Sequence, residues 1–211
     1  IPGRAFSRTM GGIALERQIT KALTPDLLQV ELTVKNTGNS RSLLKHGIRS
    51  VLPLPQNPLH SIAHFHFRRF GKLLRGRTAL KVSKTLGIEP SAALNWALAV
   101  ELMHNASLVH DDICDQDANR HDYPTIFSAF GTPSAVCFGD WLVARSFELA
   151  IKSVSSDEGV AAIGSLAAAM RFLSEGQSSE FNHKPILNWS AYEEVVSKKT
   201  TPLLLAPIEG P

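Results

Sequence analysis

The stretch that decides the fold is PSAALNWALAVELMHNASLVHDD, residues 90–112. Drawn as a helix, it carries apolar residues nearly all round, and a helix of that kind belongs in the middle of a bundle. Pro90 suits the first helical position. The stretch ends in Asp111 and Asp112, and Asp115 and Asp117 follow directly. The sequence therefore places dense negative charge at the end of a helix that is predicted to be buried.

Helical patterns dominate on both sides of this stretch. Upstream, a helix is predicted from about residue 60 to residue 87, where Gly87 is a suitable C-terminal cap. Downstream, further helices are predicted within residues 135–154, 158–177 and 190–206. Strand patterns are scarce, so the fold class is predicted to be all-α.

Composition sets limits on the kind of protein. With 211 residues and 44% hydrophobic content, the chain suits a single domain, residues 1–211, with a sizeable core. A net charge of +3 points to neither nucleic acid nor membrane, and no apolar run approaches membrane-spanning length. Two cysteines, Cys114 and Cys137, are too few for a disulfide framework, which favours a cytoplasmic location. Residues 1–11 are expected to be a tag or a flexible N-terminus.

The aspartates have a spacing that suits a metal ion. Asp115 follows Asp111 by four residues and Asp112 by three, so that on a helix they share one face. They lie at the helix C-terminus, which is the unfavourable end for anions. Mg²⁺ would neutralise them, since it takes oxygen ligands from one or two carboxylates and completes its shell with water and phosphate oxygens. The pattern predicts a Mg²⁺–phosphate site at the mouth of a helical bundle.

The acidic cluster has two other interpretations. An aspartate cluster at a helix end is often a solvated loop with capping side chains, and this alternative stays open on the residues alone. An EF-hand loop is excluded, because Arg120 stands where its glycine belongs and Ile126 where its bidentate glutamate belongs.

Basic residues near the predicted helix ends support the prediction of a phosphate-binding site. His104 lies seven residues before Asp111 on the same helix face, about 10 Å away. Arginine binds phosphate as a planar fork and lysine as a point charge. The cations in question are Lys72, Arg75, Arg120, Lys198 and Lys199. Together with the carboxylates they predict a diphosphate site.

Five motifs resemble those of the trans-isoprenyl diphosphate synthases, also called polyprenyl synthetases. VELMHNASLVHDDICDQDANRHDYPT, residues 100–125, is similar to the first aspartate-rich motif, DDxxD, with its basic pair and Pro-Thr. RFGKLLRG (69–76) resembles GGKxLRP, and FGTPSAVCFGDWLVARSFELA (130–150) resembles the next helix. EGQSSEF (175–181) and YEEVVSKKTTPLL (192–204) resemble the GQxxD and Lys-Thr segments. The resemblance covers about residues 65–205.

The resemblance implies an all-α, isoprenoid-synthase-type bundle around a central cavity, in a homodimer. It implies that Asp111, Asp112 and Asp115 hold Mg²⁺ at an allylic diphosphate. The residues it assigns to the same diphosphate, directly or by lining the cavity, are Arg120, Lys199, Thr200 and Gln177. Those it assigns to isopentenyl diphosphate are Lys72, Arg75, His104 and, in place of a family arginine, His121.

Each assignment has a plainer alternative. Lys72 and Arg75 could form a solvated face, His104 could be a core histidine, and Lys199 with Thr200 could match a helix dipole. Three further positions depart from the family pattern. Gly76 stands in place of a proline, and Phe70 and Asp122 each stand in place of a glycine.

One family motif is expected beyond the end of this sequence. The second aspartate-rich motif of the family lies well downstream of its Lys-Thr pair, whereas this sequence ends eleven residues after Thr200. The sequence is therefore expected to represent the N-terminal two-thirds of the family domain, with poor activity if nothing follows Pro211.

The predicted function is a prenyltransferase that joins isopentenyl diphosphate to an allylic diphosphate. The small residues Ala106 and Ser107, about one turn before Asp111, favour products of twenty carbons or more. Two alternatives stay open: a non-catalytic partner subunit, favoured by His121, and a class I terpene synthase, which needs no isopentenyl diphosphate site. A nucleic-acid binder is disfavoured, because the basic residues are scattered among apolar helices.

Overall fold

The computed structural model describes residues 39–153, 157–182, 189 and 201–209. Within those ranges the chain is helical apart from one short hairpin, and the all-α prediction is confirmed. The helices are α1 (Ser40–Val51), α2 (His60–His66), α3 (Leu74–Leu86), α4 (Pro90–Cys114), α5 (Ile126–Lys152), α6 (Asp157–Asn182) and α7 (Thr201–Glu209). The hairpin pairs β1 (Asn119–Arg120) with β2 (Tyr123–Pro124). The prediction for residues 1–11 lies outside the described residues.

Helix α4 is the central element of the bundle. Residues 93–103 are buried without interruption, as the all-round apolar pattern predicts. The helix begins at Pro90, and the Glu89 carboxylate accepts hydrogen bonds from the backbone N–H groups of Ser91 and Ala92 at 2.8 and 3.0 Å. Its most extensive packing is against α5, and α1, α3, α6 and α7 also contact it. Most of the described helices are therefore built onto α4, whereas α2 packs against α5.

The single helix predicted over residues 60–87 is wrong, because the structure breaks it at residues 67–73. Helix α1, which is distant in sequence, stabilises the break by hydrogen bonds. Arg41 Nη2 donates to the carbonyls of Phe70 and Gly71 at 3.3 and 3.1 Å. Leu73 takes a left-handed backbone, φ 50°, while its side chain is buried. That conformation is costly for a residue other than glycine, so tertiary contacts override the local helical pattern. We call residues 67–73 the α2–α3 loop.

The hairpin after α4 was not predicted from the sequence. Arg120 pairs with Tyr123, and the two residues between them, His121 and Asp122, have φ values of 51° and 66°. A two-residue turn of this kind needs positive φ at both positions, which histidine and aspartate tolerate better than most side chains. The left-handed backbone at Asp122 accounts for the glycine found there in the family pattern. The turn brings Arg120 back towards the end of α4.

Helix α5 begins earlier than predicted and contains a kink. Thr125 caps it, since its hydroxyl oxygen accepts from the Ser128 N–H at 3.1 Å. Gly131 has non-helical dihedral angles, φ 79° and ψ 165°, two residues before Pro133. By length and composition α5 could cross a membrane, although the sequence contains no uninterrupted apolar run of that length. Only 28% of its most apolar 18-residue stretch is buried among the residues that the structure describes.

Close contact between α4 and α5 depends on Gly139. A Cβ atom at this position would overlap the ring of His110 on α4. The neighbouring Asp140 carboxylate lies 3.4 Å from His110 Nε2. The Gly-Asp pair therefore gives the His110 ring space on one side and a polar neighbour on the other.

We predict that Gly139→Ala lowers the free energy of unfolding by about 1–3 kcal/mol, because the added methyl group overpacks the α4–α5 contact. Gly164→Ala on α6 is the matched control. A Cβ there meets no atom within 4 Å, so alanine should be neutral or stabilising by up to about 1 kcal/mol through its helix propensity. Urea denaturation measures both. Equal effects of the two substitutions would contradict the packing role of Gly139.

Candidate active site

One cavity of about 620 Å³ opens between the α2–α3 loop, α4 and the hairpin. Six residues that the sequence singled out line it: Lys72, Arg75, His104, Asp112, Arg120 and His121. They come from four different segments, so the fold alone brings them together. Their chemical roles remain predictions, but their convergence on one cavity is a property of the structure.

Asp112 and Arg120 form the charged pair at the cavity wall. Arg120 Nε donates to Asp112 Oδ1 at 2.7 Å, and the aspartate is 5% exposed. Burial raises the pKa of the Asp112 carboxyl above its ordinary value, and the hydrogen bond from Arg120 opposes this rise. A buried carboxylate needs such a partner to remain charged. The hairpin therefore serves to bring a guanidinium to the acidic end of α4.

The other two aspartates of the motif lie one helical turn apart at the C-terminal end of α4. The Asp115 N–H donates to the Asp111 carbonyl at 2.8 Å, which keeps the helical geometry to the end. Asp115 is exposed, and its Oδ1 accepts from Gln177 Nε2 on α6 at 3.2 Å. Gln177 is itself buried. It therefore contacts the acidic motif directly, whereas the sequence motif suggested only that it lines the cavity.

The fit of this site to Mg²⁺ rests on its donor set. Among the described residues, no three histidine, cysteine, aspartate or glutamate side chains are grouped as a metal cluster. Asp112 points to Arg120, while Asp111 and Asp115 share a face at helical spacing. Mg²⁺ commonly uses only one or two carboxylates and fills its remaining positions with water and phosphate. Asp111 and Asp115 therefore suit that ion without a third carboxylate.

Arg75, at the start of α3, is anchored by a hydrogen bond to α7. Its Nε donates to the Leu203 carbonyl on α7 at 3.1 Å. Burial lowers the pKa of Arg75, and the charge of the buried Glu101 raises it again. Burial likewise raises the pKa of Glu101, whose Oε1 accepts from the Gly76 N–H at 2.9 Å. Glu101 is thus a site residue that the sequence analysis missed.

The structure explains why Gly76 occupies a position where the family pattern has a proline. Proline has no N–H and could not donate to Glu101. A Cβ at this position would also lie 2.8 Å from Glu101 Cγ and 3.0 Å from the Ala97 carbonyl oxygen. Glycine therefore permits both the close approach of α3 to α4 and the hydrogen bond that the Glu101 carboxylate accepts.

Two histidines in the cavity wall are held in the neutral form. Burial, with added repulsion from Arg75, Arg120 and His66, lowers the pKa of His104 to about 3. Burial also lowers the pKa of His66 to about 4, against the effect of its 2.8 Å hydrogen bond with Asn105. His66 was not predicted, because no periodicity distinguishes it from neighbouring His60 and His64. Neutral imidazoles offer hydrogen bonds to a ligand rather than charge.

Lys72 lies in the α2–α3 loop and is exposed at the cavity edge. The predicted diphosphate ligands Lys199 and Thr200, and also Lys198, lie outside the described residues. Helix α7 follows directly at Thr201 and contacts α3, α4 and α6.

Sequence comparison defines the family. The sequence model described as "Polyprenyl synthetase" matches residues 56–210, well over half of the chain. The chain therefore belongs to the polyprenyl synthetase family, and the resemblance drawn from its motifs is confirmed. Solved structures of the same fold include the geranylgeranyl pyrophosphate synthetase from Geoglobus acetivorans, with a TM-score of 0.72 at 30% identity over 80% of this chain and 56% of that chain. The geranylgeranyl pyrophosphate synthetase from Pyrococcus horikoshii gives a TM-score of 0.73 at 28% identity, over 87% of this chain and 55% of that chain.

Relatives at the sequence level carry similar names. A geranylgeranyl pyrophosphate synthase from Geoglobus acetivorans is 35% identical, over 69% of this chain and 47% of the relative. A geranylgeranyl diphosphate synthase from Saccharolobus solfataricus is 33% identical, over 67% of this chain and 44% of the relative. The chain thus spans about half the length of these relatives.

We predict that His66 makes the fold acid-sensitive. Because its pKa is about 4 in the folded chain and about 6.5 in the unfolded chain, only the unfolded chain gains a proton between these pH values. The neutral His66 makes its full contribution to the free energy of unfolding above about pH 6.5, and this contribution is lost as the pH falls towards 4. From pH 7.5 to 5, wild type should lose about 2 kcal/mol more unfolding free energy than His66→Gln.

The measurement is urea denaturation at the two pH values. His64→Gln, at an exposed position on the same helix, is the control and should lose as much stability on acidification as wild type. If His66→Gln and wild type lost equal stability, the neutral, buried state assigned to His66 would be wrong.

Proposed function

We propose that this protein is an Mg²⁺-dependent trans-prenyltransferase that joins isopentenyl diphosphate to an allylic diphosphate. The observation that carries the proposal is the cavity in which Lys72, Arg75 and Arg120 converge on the side of α4 that carries Asp112, beside the acidic end of that helix. Such a site combines cations for diphosphate with apolar side chains for a prenyl chain, among them Phe65 and Leu108. The names of the relatives as geranylgeranyl diphosphate synthases support the same reaction class.

The proposed division of roles follows the positions of the residues. Lys72 and Arg75 bind the diphosphate of isopentenyl diphosphate, and His104 donates or accepts a hydrogen bond there as a neutral imidazole. His121, in the hairpin turn, lines the same subsite. Arg120, with Lys199 and Thr200, binds the diphosphate of the allylic substrate.

Asp111, Asp112 and Asp115 would hold the metal, with Asp111 and Asp115 as the better-placed pair. Bound Mg²⁺ supplies positive charge that favours departure of pyrophosphate from the allylic carbon. The residues of the chain bind and orient both diphosphates, so that the double bond of isopentenyl diphosphate lies against the carbon that loses pyrophosphate. The apolar side chains that line the cavity, Phe65 and Leu108 among them, would exclude water, which would otherwise capture the allylic cation.

Product length follows from the small residues above the aspartates. Ala106 is fully buried, and the Ser107 hydroxyl donates to the His104 carbonyl of its own helix at 2.8 Å. Both side chains are small, although neither is among the residues that line the cavity. The proposal on product length therefore rests on their small size and on the names of the relatives as geranylgeranyl diphosphate synthases. We propose products of about twenty carbons or longer.

The proposal extends to a homodimer in the cytoplasm. Helix α5 presents an apolar surface that the described part of the chain leaves partly uncovered, including Val136 at 40% and Ile151 at 59% exposure. A second copy of the chain would bury this surface, as hydrophobic interfaces of obligate dimers do.

We predict that Lys72→Ala raises the KM for isopentenyl diphosphate at least tenfold, because a charge-assisted hydrogen bond to a diphosphate is lost. The assay uses the full-length protein with Mg²⁺, labelled isopentenyl diphosphate and allylic diphosphates of five, ten and fifteen carbons. Lys81→Ala, at an exposed position on α3 outside the cavity, removes the same charge and should leave KM within about twofold.

An unchanged KM in Lys72→Ala would refute the assigned subsite. Tight diphosphate binding without any turnover would instead favour a non-catalytic partner subunit.

A further inference from the structure

We propose that Arg69, positioned by the aromatic ring of Tyr123, is an additional diphosphate ligand of this cavity. The inference rests on the proposed function, since it deepens the binding of a diphosphate at the same site. It adds one binding residue, from the α2–α3 loop, and one positioning residue, from the hairpin.

The charge balance of the cavity favours an anionic ligand. Two carboxylates line it, those of Glu101 and Asp112. The lysines and arginines that line it are Arg68, Arg69, Lys72, Arg75 and Arg120. This excess of cations over carboxylates around one concave space is costly unless an anion or solvent neutralises it.

Three of these cations are already engaged by the protein. Arg120 binds Asp112, and Arg75 donates to the Leu203 carbonyl. Arg68 donates to the Phe65 carbonyl at 3.2 Å and lies over the Phe65 ring at 3.5 Å. Within the described ranges, Lys72 and Arg69 make no hydrogen bond or ion pair, so their donors remain available to a ligand.

The guanidinium of Arg69 is held in place although its N–H groups are unused. Its central carbon lies 3.6 Å from the centroid of the Tyr123 ring. An arginine over an aromatic face gains cation–π energy and loses rotational freedom, while the N–H groups at its edge stay free. Arg69 is therefore a preorganised fork, which suits the oxygens of a diphosphate.

The stacked pair also links the α2–α3 loop to the hairpin, and Arg68 of the same loop lies 5.9 Å from the same ring. Tyr123 pairs with Arg120 in the hairpin, and Arg69 is three residues before Lys72 in the loop. A ligand that draws Arg69 and Lys72 inwards therefore also fixes the loop against the hairpin that carries Arg120. Tyr123 is a positioning residue in this proposal, because the face of its ring holds the Arg69 guanidinium; the ring also lines the cavity and has Arg68 at 5.9 Å.

The test is the binding of inorganic pyrophosphate to the full-length protein, measured by titration calorimetry in EDTA so that no metal contributes. Arg69→Ala should raise Kd about tenfold, and Arg69→Lys should raise it by a smaller factor, since lysine keeps the charge but loses the fork. Arg68→Ala is the matched control: it removes the same charge from the same loop, and Kd should change less than threefold. Thermal melts check that each variant is folded.

The role of Tyr123 needs its own variants. Tyr123→Phe keeps the aromatic face and should bind pyrophosphate as wild type does. Tyr123→Ala should raise Kd severalfold in the wild-type background and have little further effect when Arg69 is already alanine. Equal effects of Tyr123→Ala in the two backgrounds would refute positioning through Arg69.

Failure of this inference differs from failure of the proposed function. If Lys72→Ala weakens pyrophosphate binding and Arg69→Ala does not, Arg69 is no ligand and the proposed site stands. If Arg68→Ala weakens binding as much as Arg69→Ala, the effect is one of net charge and the specific role of Arg69 is refuted. If wild type binds no pyrophosphate, both proposals are overturned. If Lys72→Ala binds it as well as wild type while Arg69→Ala binds it more weakly, the subsite assigned to Lys72 is overturned and the role of Arg69 stands.

Discussion

The burial of charge along α4 is the constraint on which the rest of the structure depends. The helix is buried through residues 93–103, and it carries Glu101 and Asp112 into the protein interior. An unpaired carboxylate in that position would cost several kcal/mol or lose its charge. Each therefore requires donors from another segment. The N-terminus of α3 supplies the Gly76 N–H to Glu101, and the hairpin supplies Arg120 to Asp112.

These two pairings also define the cavity. Because α3 must begin where its first turn can reach Glu101, the chain leaves α2 and crosses above α4 in the α2–α3 loop. Because Arg120 must reach Asp112, the chain turns back after α4 in a tight hairpin. The α2–α3 loop and the hairpin thus form opposite rims of one cavity. Lys72 and Arg75 line it on the side of the loop, and Arg120 lines it on the side of the hairpin.

The sequence predicted the parts of this arrangement that depend on local pattern. The all-round apolar run predicted the central position of α4, and the motif spacing identified six residues that line the cavity. It missed what tertiary contacts impose. The break after α2 depends on Arg41, 30 residues from Gly71, and the hairpin turn uses His121 and Asp122 instead of the Asn-Gly pair that would have indicated it. Glu101 and His66 belong to no recognisable sequence motif. Only their burial in the folded chain distinguishes them from other glutamates and histidines, and the sequence does not show that burial.

The electrostatics of the cavity connect ligand binding to proton binding. Burial is the largest cause of the low pKa of His104, and the charges of Arg75 and Arg120 lower it further. A diphosphate that neutralises these guanidinium groups removes part of that repulsion and adds attraction for the proton, so it must raise the pKa of His104. By linkage, the same coupling favours diphosphate binding as the pH falls. The low pKa of His104 therefore reflects burial first and the charges of Arg75 and Arg120 second, and a bound diphosphate acts on the second of these causes.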